Sequence, residues 1–164
     1  MTTPVVPCLE LRPVGEEDLP FVRLVYASSR EEELALVPWP DEQREAFLDM
    51  QFRAQLAGYT ATFPGSEHSV VLVDGEPAGR IWVARSEAEI RLVDLALLPA
   101  FRNLGTGSAL VRRLQAEAQA TSTPLRHCVW TMNEGARRLY RRLGFAVVED
   151  QGMYQLMEWR PGAG

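Results

Sequence analysis

Leu97-Leu98-Pro99-Ala100-Phe101-Arg102-Asn103-Leu104-Gly105-Thr106-Gly107-Ser108 is the stretch whose reading decides the fold. The apolar run from Ile90 to Leu98 precedes it and predicts a strand, while Ala109, Leu110, Val111 and Leu114 follow it at helical spacing. Between strand and helix the turn reads Arg-x-x-Gly-x-Gly. Glycines at the mouth of a helix let the backbone bend closely and aim several free N–H groups at one point. With the positive end of the helix dipole, those groups make an anion site suited to a pyrophosphate.

A second motif follows some way along the chain: Asn133-Glu134-Gly135-Ala136-Arg137-Arg138-Leu139-Tyr140-Arg141-Arg142-Leu143-Gly144-Phe145. Asn133, Ala136 and Tyr140 stand at i, i+3 and i+7, so they share one stripe of a helix that Asn133 caps and Gly144 ends. The four arginines occupy its other faces. One stripe therefore presents an amide, a small residue and a phenol.

Together the two motifs resemble the GCN5-related N-acetyltransferase (GNAT) family, most specifically over residues 90–145. That family binds acetyl-CoA on an Arg/Gln-x-x-Gly-x-Gly/Ala turn and follows it with Asn-x-x-Ala-x-x-x-Tyr and a Leu-Gly-Phe helix exit. The resemblance implies backbone hydrogen bonds from Leu97 and Leu98 to the pantetheine arm. It implies that Arg102, Asn103, Leu104, Gly105, Thr106, Gly107 and Ser108 hold the pyrophosphate, with Asn133, Ala136 and Tyr140 completing the cofactor site. It also implies that the Tyr140 hydroxyl protonates the departing CoA thiolate, a role open to a phenol that is still protonated at neutral pH.

Working outward, Cys8 to Arg12 alternates as a first strand and Gly15 to Asp18 opens an acid-led helix carrying Leu19, Phe21, Val22, Val25 and Tyr26. Residues 30–40 break the pattern, and a second helix starts near Asp41 as N-cap and runs to Gly58. His68–Val73 and Ala78–Arg85 are strands joined at Asp74-Gly75, a hairpin turn signal. The helix from about Thr106 to Ala120 crosses to a strand over Leu125–Trp130, which gives a βαβ unit with two parallel strands. Phe145–Glu149 and Met153–Trp159 form a last hairpin around Gly152. The expected fold is α+β: a mixed sheet of about seven strands, an antiparallel meander with a central parallel pair at the CoA crevice, flanked by about four helices. A single domain over residues 1–164 is expected, with a core of about 9–159 and loose ends at 1–7 and 160–164.

The 164 residues suit one domain of ordinary globular composition. No apolar run approaches the roughly 20 residues that span a bilayer, and the N-terminus shows no basic region ahead of an apolar one. A cytoplasmic protein with no membrane partner is the expectation. Cys8 and Cys128 match no metal spacing, so no metal is expected and both read as reduced thiols. The net charge of −5 argues against nucleic acid as a partner. Residues 101–142 nevertheless hold eight arginines against Glu117 and Glu134, so the rest of the chain is strongly acidic. A basic stretch around the glycine turn suits a small polyanion such as CoA. All 17 basic residues are arginine, so the protein offers no lysine of its own for acetylation.

Asp94 lies within the apolar strand Arg91-Leu92-Val93-Asp94-Leu95-Ala96-Leu97. A carboxylate there must be paired, hydrogen-bonded or raised in pKa. Two roles stand open for it: general base toward the attacking amine, or structural acid satisfied by backbone or Arg80. His68 and His127 read as packed or structural. Glu31, Glu32 and Glu33, with Trp39, lie in the segment that commonly covers the acceptor groove in the family, and read as acceptor contacts or as a solvated face. An acetyl-CoA-dependent N-acetyltransferase acting on a primary amine of a small molecule or peptide by direct transfer is expected. The alternative is a non-catalytic CoA or acyl-CoA sensor or interaction module. The sequence leaves the acceptor, the acyl-chain length and a homodimer open.

Overall fold

The computed structural model describes residues 6–162. Of the expected loose ends, residues 1–5 and 163–164 lie outside the described residues. Among the described residues there are seven strands: β1 (Leu9–Pro13), β2 (Glu67–Val73), β3 (Glu76–Arg85), β4 (Ile90–Leu97), β5 (Leu125–Trp130), β6 (Ala146–Asp150) and β7 (Tyr154–Trp159). They form one mixed sheet in the order β1-β2-β3-β4-β5-β7-β6. The pairs β1–β2, β5–β7 and β6–β7 are antiparallel and β4–β5 is parallel, as the motif order required.

The helices are α1 (Leu19–Ser29), α2 (Glu31–Ala35), α3 (Asp41–Thr62), α4 (Thr106–Thr121) and α5 (Glu134–Arg142). This is one more than the sequence led us to expect. The extra helix is α2, where Glu31, Glu32 and Glu33 fill a first turn, which complements the helix dipole, and Leu34 is buried. The helix expected to end at Gly58 continues to Thr62. A single glycine costs a helix only about 1 kcal/mol, and the end comes just before Pro64, whose ring disfavours helical geometry in the residue ahead of it. Asp41 sits inside the first turn of α3 rather than at its cap, which is Pro40.

The chain divides into two compact units, one of residues up to Ile81 with Leu95–Arg102, the other of Trp82–Asp94 with Asn103 onward. In the first, Val22 and Tyr26 of α1, Leu34 of α2, and Leu48 and Phe52 of α3 form a buried cluster. Burial of such a side chain is worth about 1.5–3 kcal/mol. Arg80 of β3 is buried beside α3, where its Nη2 donates to Gln55 Oε1 and its guanidinium lies 6.0 Å from the Phe52 ring. Gly79 permits close backbone approach at the end of β4, since a Cβ there would stand 2.1 Å from the Ala96 carbonyl oxygen.

In the second unit, α4 and α5 are tied by Gln115, whose Nε2 donates to the Leu143 carbonyl at 2.7 Å. The parallel register covers Ile90↔Leu125, Arg91↔Arg126 and Leu92↔His127, and it ends there. From Cys128 to Trp130, β5 continues in register with β7 (Cys128↔Leu156, Trp130↔Tyr154).

Candidate active site

The glycine turn has the geometry its sequence requires. A 3-10 turn over Pro99–Phe101 leads to Arg102, after which Asn103 (φ 60°) and Gly105 (φ 85°) both adopt left-handed backbone. Such geometry is costly for residues with a Cβ, and asparagine and glycine tolerate it best. The first bond of α4 runs from Ala109 N–H to the Gly105 carbonyl at 3.0 Å, so the amides of Thr106, Gly107 and Ser108 lie outside the helical ladder. Thr106 is buried and Leu104 is exposed. The space around Gly107 is open: a Cβ there would meet only Leu139 Cδ2, at 4.0 Å. Internal packing thus gives no reason for a glycine at this position.

Leu97, Leu98 and Arg102 are more committed than expected. Leu98 N–H donates to the Ala78 carbonyl at 2.8 Å, and its carbonyl accepts from Phe101 N–H at 2.9 Å. Its backbone therefore shapes the turn. Arg102 Nε donates to the Leu97 carbonyl at 2.8 Å, so the motif arginine also caps the end of β4.

Asn133 caps α5 as predicted, its Oδ1 accepting from Ala136 N–H at 3.1 Å. That bond fixes the first turn of the helix that carries Tyr140. The Tyr140 ring is 4% exposed and packs against Phe145, with centroids 5.3 Å apart and edge to face. Its other neighbour is His127 at 4.7 Å. Among the described residues the Tyr140 hydroxyl has no hydrogen-bond partner, and its oxygen is not among the buried polar atoms left unsatisfied, so the ring is buried while the hydroxyl reaches solvent. Burial, and then the negative charge of Asp94, push its pKa above the ordinary phenol value. The group stays protonated at neutral pH, so its hydroxyl has a proton to donate.

His127 is the residue whose part the sequence did not disclose. Its Nδ1 lies 2.7 Å from the carbonyl oxygen of Leu92, its own register partner at the last rung of the parallel pair. Burial lowers its pKa, with the Leu92 carbonyl and Asp94 acting against that shift. A neutral imidazole bonded to a carbonyl must carry its proton on Nδ1. Alternation along β5 held the only signal, since it sets His127 on the face shared by the buried Leu125 and Val129.

In the first unit the expected acceptor residues separate. Glu31 lines a cavity of about 430 Å³ together with Leu24, Ser28, Leu34, Arg44 and Leu48. Glu33 pairs with Arg30 at 3.1 Å. Trp39 packs edge-on against Phe47, with ring centroids 5.1 Å apart, beside the helical core. Its ring therefore contributes to packing, and Glu32 is simply exposed. His68 is half-buried on β2, where burial and the charge of Arg80 lower its pKa to about 4. Among the described residues no cluster of metal-ligating side chains occurs and no helix is long and apolar enough to cross a membrane.

The turn and the capped helix that follows it match a family model described as an acetyltransferase (GNAT) domain over residues 64–147. The chain belongs to the GNAT acetyltransferase family. Solved structures with the same fold include the PaiA N-acetyltransferase of Thermoplasma acidophilum in complex with coenzyme A. It is 18% identical, with a TM-score of 0.69 and coverage of 93% of this chain and 99% of that one. An acetyltransferase from Thermus thermophilus is 20% identical, with a TM-score of 0.68 over 93% and 96% of the two chains. A GNAT family acetyltransferase from Elizabethkingia anophelis with acetyl-CoA bound is 14% identical, with a TM-score of 0.58 over 93% and 97%. No curated protein matches the sequence. The residues of this GNAT protein fit the group its family uses: three amides outside the ladder beside an open glycine for a pyrophosphate, and the Tyr140 hydroxyl, unengaged by any described residue, for a second ligand atom.

Proposed function

We propose that this GNAT protein is an N-acetyltransferase that moves an acetyl group from acetyl-CoA to a primary amine by direct attack. The observation that carries the reading is Tyr140, a buried phenol on a capped helix whose hydroxyl is engaged by no described residue. Acetyl-CoA supplies an acyl group activated as a thioester. The amides of Thr106, Gly107 and Ser108 hold the anionic end, and the end of β4 at Leu97 orients the arm, with Arg102 fixing the Leu97 carbonyl. The amine nitrogen forms the new C–N bond as the C–S bond breaks, the amine's proton is ultimately lost to solvent, and the departing thiolate takes up a proton from water.

Tyr140 meets that sulfur as a hydrogen-bond donor. Thiols ionise at roughly 8.5 and phenols at roughly 10, and burial raises Tyr140 further. Full proton transfer from the phenol is therefore uphill, so its main contribution is to stabilise charge developing on sulfur. Asp94 is assigned to the amine side, where it accepts the amine's proton through water. Its charge acts on both Tyr140 and His127. Glu31 is assigned to attraction of a cationic acceptor, and a cytoplasmic setting and a single working domain complete the reading.

The test is thiol release from acetyl-CoA with a panel of small primary amines and peptide N-termini, for wild type and Tyr140→Phe. Loss of such a donor lowers kcat by about 10²–10³-fold, and CoA affinity should change little. Normal turnover by Tyr140→Phe removes the phenol from the chemistry. No binding of CoA by the folded wild type removes the whole reading.

A further inference from the structure

We propose that His127 is a positioning residue for Tyr140, clamping the imidazole to the last rung of the parallel β4–β5 ladder and holding the phenol by ring contact. The inference rests on the reading of Tyr140 as the donor to the leaving sulfur.

Three observations bear on it. The parallel register stops at Leu92↔His127, and at that rung the His127 Nδ1 is 2.7 Å from the Leu92 carbonyl oxygen. The bond joins a side chain to the backbone of the opposite strand, so it fixes both the imidazole and the point where the ladder ends. On the other side, the ring meets Tyr140 at 4.7 Å and an interplanar angle of 50°. Phe145 contacts Tyr140 at 5.3 Å, so the phenol is held between two rings while its hydroxyl has no described partner. With no protein hydrogen bond on the hydroxyl, the position of its oxygen is set by the packing of the ring.

The chemistry of the position also selects histidine. A leucine would fill similar space against Tyr140 and offer nothing to the Leu92 carbonyl. An asparagine would offer an N–H to that carbonyl and leave the ring contact empty. The charged groups acting on the imidazole are Asp94 and Arg91 of β4, and Asp94 also acts on Tyr140. Misplacement of a catalytic group by about 1 Å can cost about 10²-fold in rate, so a clamp of this kind has a measurable consequence.

The experiment compares His127→Leu and His127→Asn with wild type, each also combined with Tyr140→Phe. The first readout needs no acceptor: ultraviolet titration of tyrosine ionisation, taken as the difference between each protein and its Tyr140→Phe counterpart. In wild type the difference signal should lie above the ordinary tyrosine range. In His127→Asn, which leaves the ring contact empty, it should move down toward it, and in His127→Leu, which fills similar space, by clearly less, at comparable melting temperatures. The second readout is thiol release from acetyl-CoA with the panel amine that wild type uses fastest. His127→Leu should lower kcat by about 10–100-fold with Tyr140 present and by less than about 3-fold in the Tyr140→Phe background, because a group acting through Tyr140 has nothing left to position. A wild-type-like titration in His127→Asn overturns the proposal, and so does an equal loss of kcat in both backgrounds. An inactive wild type that binds no CoA would instead overturn the acetyltransferase reading, and the titration would still report on the clamp.

Discussion

Gly107→Glu should make this protein more stable while abolishing its affinity for CoA. At position 107 a Cβ would have Leu139 Cδ2 as its nearest neighbour, at 4.0 Å, so the folded chain has room for a side chain. The position lies in the first turn of α4 with ordinary helical backbone, where glycine costs up to about 1 kcal/mol relative to better helix formers. A carboxylate there also gains about 0.3–1 kcal/mol from the helix dipole. Together the gain is about 1 kcal/mol, or about 2–4 °C in Tm for a chain of this size. The same carboxylate would stand where the amides of Thr106, Gly107 and Ser108 are aimed, repelling a pyrophosphate and filling its space. Wild type with CoA at about 100 times its Kd should gain about 2.7 kcal/mol by mass action, about 5–10 °C on the same scale. Differential scanning fluorimetry with and without CoA, backed by calorimetry, reads both quantities. A variant that melts below wild type would refute the account of the turn's packing, and a retained CoA shift would refute the phosphate assignment.

The other outcomes are as specific. Asn133→Ala should lower Tm by about 2–4 °C through loss of a cap worth about 1 kcal/mol, and Asn133→Asp, which keeps an acceptor for Ala136 N–H, should restore it; equal stability in all three proteins would leave the cap without effect. Asp18 is held by Arg12 at 2.8 and 2.9 Å and by Gly15 N–H at 2.8 Å, and these bonds lower its carboxyl from 3.8 to about 2. A lowered carboxyl stabilises the fold above its unfolded value and loses that contribution as pH falls through its folded value. Asp18→Asn should therefore lower Tm at neutral pH, with the gap to wild type closing between pH 3.8 and about 2; a gap independent of pH would contradict the assignment. Glu31→Gln should raise KM for a cationic amine more than it lowers kcat, and less so in high salt because exposed charges are screened over about 8–10 Å. Glu33→Gln is the control, since Glu33 is already paired with Arg30, and equal effects of the two would return Glu31 to a solvated surface.

Most of the fold was legible because its determinants are local. The Arg-x-x-Gly-x-Gly turn needs left-handed backbone at Gly105, and the sequence supplies glycine there. Asn133 precedes a helical stripe, and it caps Ala136 N–H three residues on. Alternation marked the first strand, apolar runs and turn signals marked others, and the order of elements led to the parallel pair. The short helix α2 escaped notice because five residues are too few to display a period.

The commitments of individual groups were decided by the tertiary structure. Trp39 looked available to an acceptor until α3 brought Phe47 against its ring. Leu98 looked open to a ligand until β3 placed the Ala78 carbonyl 2.8 Å from its amide. His127 lies 35 residues from Leu92 in sequence, and only the register of β5 against β4 sets its imidazole on that carbonyl and against Tyr140. Spacing along a chain fixes which side chains share a face of one element. Which groups meet across elements depends on strand register and helix packing, and those are settled by the burial of the whole core at once.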